Sequence, residues 1–315
     1  MYGKYFVLFA ILFTGWFMRK INFIDDKMNH SINKLIVYFA YPCLIVHNIG
    51  SLDMSGDIII KFGIAFLASL ICFYIYGLVC LGYAGARRFP AEESNTLEFA
   101  MATPNDGFMG FPVALIFFGE MGMLMMLAHN AAMNFFTFTY GLKLLRRNRE
   151  GSRRATPKKF IKATLKLLLN PNILALITGL ILSLLGGILP AVVDEYLAYI
   201  GNISTPMAMI FIGSTLTGYS LKDIVRSRVI IEACAVKLVL LPVITTALMY
   251  FLPIDPVIKC TVVLGACFPT AATVSMLTEQ EGQNPGPASK TLFLSTVASI
   301  VTVPLAINAL MMLFM

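Results

Sequence analysis

The chain has 315 residues, of which 58% are hydrophobic and 13% charged, with a mean hydropathy of +0.78 and a formal net charge of +7. Soluble domains carry about 25% charged residues, so the composition excludes an ordinary soluble enzyme and points to a polytopic membrane protein. The six cysteines (Cys43, Cys72, Cys80, Cys234, Cys260, Cys267) lie in or near apolar stretches with no C-x-x-C pair. That distribution argues for small buried hydrophobes rather than a disulfide framework or a zinc site.

Ten apolar segments reach the roughly 20 residues a membrane helix needs. They lie near 4–20, 31–50, 57–82, 95–118, 121–144, 167–189, 191–218, 227–251, 256–278 and 288–314. The apolar stretch of the first, Tyr5 to Met18, is preceded by only Lys4 and lacks a small-residue cleavage site, so it reads as a span rather than a cleaved signal. With ten spans, alternate loops share a side, and 20 of the 24 Lys and Arg residues then fall on one of them. That side is expected to be cytoplasmic, with both termini outside the cytoplasm, in the cell (inner) membrane. The basic loop Lys143 to Lys166 is expected to be a solvated topology determinant, not a nucleic-acid patch. It divides the chain into a first five-helix half (1–145), a connector (146–166) and a second half (167–315).

The fourth segment contains Met101-Ala102-Thr103-Pro104-Asn105-Asp106-Gly107-Phe108-Met109-Gly110-Phe111-Pro112. Two prolines, two glycines, an Asn and an Asp cannot be accommodated in an unbroken membrane helix. Each proline removes a donor and clashes with the preceding turn, and broken backbone at membrane depth persists only inside protein or beside a cavity. The ninth segment carries Gly265-Ala266-Cys267-Phe268-Pro269-Thr270-Ala271-Ala272-Thr273. Prolines also recur in the second (Tyr41-Pro42-Cys43) and seventh (Ser204-Thr205-Pro206) segments. Five spans per half is odd, so the halves insert in opposite orientations, and paired interrupted helices of such an inverted repeat mark a transporter site at the membrane midplane.

The half-helix after Asn105 turns its positive end toward the gap, as does the one after Pro269, which suits a small organic carboxylate. Candidate substrate-binding residues are Pro104, Asn105, Asn130, Asn134, Pro269, Thr270 and Thr273. Asn130 and Asn134 share a helix face. Asp106, Glu232, Lys237 and His129 are candidates for ion coupling, because intramembrane charges are costly and usually functional. The bland alternatives are a satisfied proline kink, a snorkelling Glu232, a Lys237 paired with Asp106 or Glu98, and a hydrogen-bonded structural His129. Met121, Met123, Met125 and Met126 read as packing residues rather than copper ligands. No metal-ligand cluster, nucleophile–base pair, cofactor motif or Walker motif is found, so an enzyme or a directly ATP-driven pump is not expected.

The Tyr38–Leu44 stretch, the Pro-Asn-Asp-Gly-Phe-Met-Gly-Phe-Pro block, Asn134–Gly141, Phe211–Leu216 and the stretch from Pro269 to Gly282 resemble, in order, the auxin efflux carrier family. The resemblance covers essentially the whole chain. It implies an all-α fold of ten helices in an inverted 5+5 repeat, akin to sodium/proton antiporters and bile-acid symporters, with helices 4 and 9 broken and crossing. It implies crossing prolines at Pro104 and Pro269, a carboxylate-binding Asn at Asn105, and a scaffold of spans 1, 2, 6 and 7. It further implies elevator-type alternating access, a homodimer, and transport of malate-like dicarboxylates or auxin-like acids. A sodium-coupled bile-acid-type symporter, with Asp106, Thr273 and Ser275 as ion ligands, and a ligand-binding receptor without transport stand as alternatives. Proton or sodium coupling is left open.

Overall fold

The computed structural model of the chain describes residues 2–50, 56–147, 169, 171–185, 189–218, 224 and 226–315. Most of the basic connector, residues 148–166, lies outside the described residues. The described residues form helices and no strand: α1 (Tyr2–Lys20), α2 (Asp26–Gly50), α3 (Gly56–Ala86), α4 (Ala91–Ala102), α5 (Asp106–Leu145), α6 (Pro171–Leu184), α7 (Ala191–Thr215), α8 (Arg228–Phe251), α9 (Pro256–Cys267), α10 (Ala272–Gln280) and α11 (Gly286–Phe314). Six of these (α2, α3, α5, α7, α8 and α11) are long and apolar enough to cross a membrane, while α6 and α9 are apolar but shorter. The surface is apolar: Phe6, Val192 and Phe251 are 74%, 78% and 81% exposed. The interior instead holds Asp106, His129 and Lys237, each fully buried. That inversion of the soluble pattern is what a lipid-facing exterior demands.

Local chemistry sets the helix boundaries. Asp25 caps α2 by accepting from the Met28 N–H at 2.7 Å. Asp255 caps α9 by accepting from the Val257 N–H at 2.8 Å, with Pro256 in the first turn where no donor is missed. Gly119 lies within α5 at φ 66°, ψ −159°, a conformation that L residues with a Cβ rarely adopt. It falls between the expected fourth and fifth segments and breaks α5 there. The remaining break, between Ala102 and Asp106, is the one expected at Pro104 and Asn105.

The helices pack in two groups. α1 lies along α7, α2 along α6, and α7 also contacts α2. In the other group α3 packs on α4 and α5, α9 on α5, α8 and α11, and α11 on α4, α8 and α10. Within the first group α1 and α7 approach so closely that a Cβ on Gly15 would sit 2.2 Å from the Ile210 carbonyl oxygen, and one on Gly213 1.9 Å from that of Leu12. Small residues permit this contact of backbones, which is how membrane helices gain packing energy without a hydrophobic drive. The start of α5 meets α7, where Phe108 stacks on Phe211 at 5.1 Å. Met123, Met125 and Met126 are fully buried in the core, and all six cysteines are buried and free.

Candidate functional site

The two breaks lie against each other and satisfy each other's backbone. Pro104 and Thr270 pair antiparallel: the Asn105 N–H donates to the Pro269 carbonyl at 2.7 Å, and the Ala271 N–H to the Thr103 carbonyl at 3.1 Å. Pro104 has no N–H, so the Ala100 carbonyl four residues earlier loses its helical donor. The Thr270 hydroxyl replaces it, donating to that carbonyl at 2.9 Å, while the Thr270 N–H donates to Ser295 Oγ at 3.1 Å. Each broken segment is thus the hydrogen-bonding partner that the other lacks, which is the condition for exposed backbone inside a membrane.

Beside this crossing is a cavity of about 340 Å³. Of the residues expected at the site, Pro104, Asn105, Asp106, Asn130, Asn134 and Thr273 line it. Pro269 and Thr270 do not; their groups are used up in holding the crossing together. The sequence reading missed Tyr38, Tyr41, Thr137 and Asn172, which also line the cavity. Tyr41 was noted only as part of the Tyr-Pro-Cys motif; an aromatic hydroxyl next to a proline in a span was the signal available. Its hydroxyl reaches the Phe108 carbonyl at 3.5 Å, the acceptor orphaned by Pro112. Among the described residues no Lys or Arg lines the cavity.

The polar wall is ordered. Asn134 Nδ2 donates to the carbonyl and to Oδ1 of Asn130, at 2.9 and 3.0 Å, and Asn130 Nδ2 donates to Asp106 Oδ1 at 2.8 Å. Asn105 is 3% exposed and its Nδ2 has no hydrogen-bond partner. The N-terminus of α10 begins at Ala272 without a side-chain cap.

The coupling candidates separate. His129 lies behind the wall, with Nδ1 2.9 Å from Ser69 Oγ, its ring against Phe73, and Nε2 3.9 Å from Asp106 Oδ2. Lys237 is fully buried and its Nζ has no hydrogen-bond partner. Asp106, Cys80 and Cys267 are its electrostatic neighbours. The suggested pairing of Lys237 with Glu98 does not form, because Arg147 takes Glu98 at 2.7 and 3.1 Å. Glu232 is not brought to the cavity: Arg87 (3.0 and 2.6 Å) and Arg228 (2.8 Å) hold it at the end of α8. Ser275, offered as a sodium ligand, accepts from Ser289 at 3.0 Å and does not line the cavity. Among the described residues no group of three His, Cys, Asp or Glu could hold a metal ion.

Comparison with known proteins adds the family. A protein of Methanothermobacter thermautotrophicus named "Uncharacterized transporter" is 25% identical over 304 residues, 94% of each chain. A protein of Rhizobium meliloti whose name proposes malonate as its cargo is 26% identical over 308 residues, covering 96% of this chain and 93% of its own. A Methanocaldococcus jannaschii protein, also named an uncharacterized transporter, is 22% identical over 219 residues, 69% of each chain. A family model described as "Membrane transport protein" matches residues 1–307. The chain therefore belongs to the membrane transport protein family, that of the auxin efflux carriers, and is a multi-pass membrane transporter.

Proposed function

We propose that this protein is a secondary carrier of small organic anions, which it binds as carboxylates at the crossing of its two broken helices. One observation carries the reading: the cavity at the crossing, where a buried amide donor without a partner, Asn105 Nδ2, stands beside an uncapped helix N-terminus. Amide donors and the positive end of α10 suit a carboxylate. With no Lys or Arg on the cavity wall among the described residues, recognition falls to these donors and to Thr273. Asn130 and Asn134 line the same cavity. The name of the Rhizobium meliloti relative makes malonate the first acid to try.

The same reading includes a ten-helix inverted 5+5 repeat. Exchanging the halves maps α1 onto α6, α2 onto α7, α3 onto α8, and α4 and α5 onto α9 to α11. The contact of α1 with α7 then corresponds to that of α6 with α2, and the contact of α3 with α4 to that of α8 with α9. The α4–α11 contact corresponds likewise to α9–α5. In this reading the first packing group, α1, α2, α6 and α7, is the scaffold and the rest a moving body; elevator-type access, homodimeric assembly and both termini outside the cytoplasm are parts of the same proposal.

The test is equilibrium binding of malonate, malate and indole-3-acetate to the purified full-length protein. Asn105→Ala is expected to weaken binding about 10- to 100-fold, the worth of one hydrogen bond to a charged group. Unchanged affinity in that variant removes Asn105 from the site.

A further inference from the structure

We propose that Asp106, His129 and Lys237 form a proton-binding centre that ties substrate movement to the proton gradient; this rests on the carboxylate-carrier reading and names its coupling ion. Asp106 from the start of α5 and His129 from its later half lie 3.9 Å apart, and Lys237 of α8 is an electrostatic neighbour of Asp106. Each is fully buried, and each keeps one polar atom without a hydrogen-bond partner: Asp106 Oδ2, His129 Nε2 and Lys237 Nζ. A structural ion pair would close these contacts, since an uncompensated buried charge costs several kcal/mol. The open atoms are what a group that gains and loses a proton requires.

The geometry aims Asp106 and His129 at one another. Ser69 holds His129 Nδ1, and this orients Nε2 toward Asp106 Oδ2 at 3.9 Å, too long for a hydrogen bond and within reach of a small side-chain shift. Gly265 makes room for the ring: a Cβ there would sit 2.2 Å from Nε2. Asp106 is also a wall of the cavity, and the chain Asn134 to Asn130 to Asp106 connects its other oxygen to the space a substrate occupies.

The other groups facing this centre do not replace the proton. Cys80 of α3 and Cys267 of α9 are buried electrostatic neighbours of Lys237, and α3 also carries the buried Cys72 and Tyr76. Tyr41 of α2 is turned to the Phe108 carbonyl, and Glu98 of α4 is neutralised by Arg147. Hard cations take sets of oxygen ligands. The centre offers one carboxylate, one imidazole and an ammonium that would repel a sodium ion, so a proton fits and sodium does not. With Lys237 and Asp106 both charged the centre is neutral, but a carboxylate entering the cavity then meets the ionised Asp106. A proton on Asp106 Oδ2, shared with His129 Nε2, removes that repulsion. Substrate and proton therefore bind cooperatively, each strengthening the other by the same factor, and travel in the same direction.

Full-length protein is reconstituted in proteoliposomes. Exchange of radiolabelled acid against unlabelled acid is measured at equal pH with malonate, malate and indole-3-acetate, followed by uptake under an inward proton or sodium gradient. Wild type is expected to exchange one of the acids and to concentrate it at least tenfold under the proton gradient alone, with the gain abolished by a protonophore. Lys237→Gln leaves Asp106 without its counter-charge and so permanently protonated; it is expected to exchange but not to concentrate. Asp106→Asn is expected to bind the acid with a weaker pH dependence than wild type, the acid's own titration being common to both. Exchange without proton-driven accumulation in wild type, or accumulation driven by sodium, overturns the proton centre and leaves the carrier reading standing. Proton-driven accumulation retained in Lys237→Gln also overturns the centre. Absence of exchange by monodisperse wild-type protein overturns the carrier reading and this proposal with it. The wild-type gradients decide the matter even if a variant fails to fold.

Discussion

Thr270 shows how one side chain supports the whole crossing. Its hydroxyl serves the Ala100 carbonyl, left without a donor by Pro104, and its N–H is bound by Ser295. Thr270→Val keeps the shape and removes the hydroxyl, leaving a buried acceptor unsatisfied at a cost of about 1–3 kcal/mol. A lower thermal midpoint in detergent is expected for Thr270→Val and a near-normal one for Thr270→Ser; equal midpoints for Val and wild type would remove the hydroxyl from the account. The sequence marked Thr270 as polar and near a proline, and so as a ligand. That its partner is a carbonyl 170 residues away in the chain is set only when the two breaks meet. His129 and Asn130 make the same point by rotation. Neighbours on a helix differ by about 100°, so one faces Asp106 from behind while the other lines the cavity.

At the scale of elements, prolines do more here than break helices. Three π-helical turns (Ile36–Ala40, Asp106–Gly110 and Val236–Leu240) each end two residues before a proline: Pro42, Pro112 and Pro242. In each, the residue preceding the proline donates to the carbonyl five residues back: Tyr41 to Ile36, Phe111 to Asp106, and Leu241 to Val236. The wide turn relieves the ring's clash and re-aims the side chains it contains. Those turns carry Tyr38, Asp106 and Lys237, two of them on the cavity wall and two in the buried charge centre. A fourth such turn, Thr137–Gly141, has no proline at that offset. The glycine contact of α1 and α7 is a second determinant at this scale. Gly213→Leu would drive a side chain into the Leu12 carbonyl, and overpacking of this kind costs about 1–3 kcal/mol or more. A lower thermal midpoint and poorer monodispersity by size-exclusion chromatography are expected. A wild-type profile would mean that the two helices separate without penalty.

For the molecule as a whole, the division of helices into two packing groups is the feature with mechanical content. Phe108 of the broken helix stacks on Phe211 of α7, across the boundary between the groups. If the groups slide during transport, a covalent link at this contact stops it. In a background with the six native cysteines replaced, cysteines at positions 108 and 211 are expected to cross-link and to abolish uptake, which reduction restores. Uptake that continues in fully cross-linked protein excludes relative motion at this boundary.

Membrane class, the long apolar helices and the two interrupted helices were legible in the chain, because hydropathy and proline placement are local in sequence. Lipid forbids loose backbone, so two proline-broken stretches in apolar surroundings already imply partners. Which partners they find is a matter of distant contacts. Pro269 and Thr270 turn out to close the crossing rather than face the cavity. Glu232 is held by two arginines at the end of its helix, and Tyr38, Tyr41, Thr137 and Asn172 complete the cavity wall. The tertiary structure alone brought His129 to 3.9 Å from Asp106 and made Lys237 an electrostatic neighbour of Asp106. Asp106 and His129 lie on distant turns of α5 and Lys237 on α8, and their registers depend on the π-turns at Asp106 and Lys237 and on close helix packing, neither of which hydrophobic periodicity records.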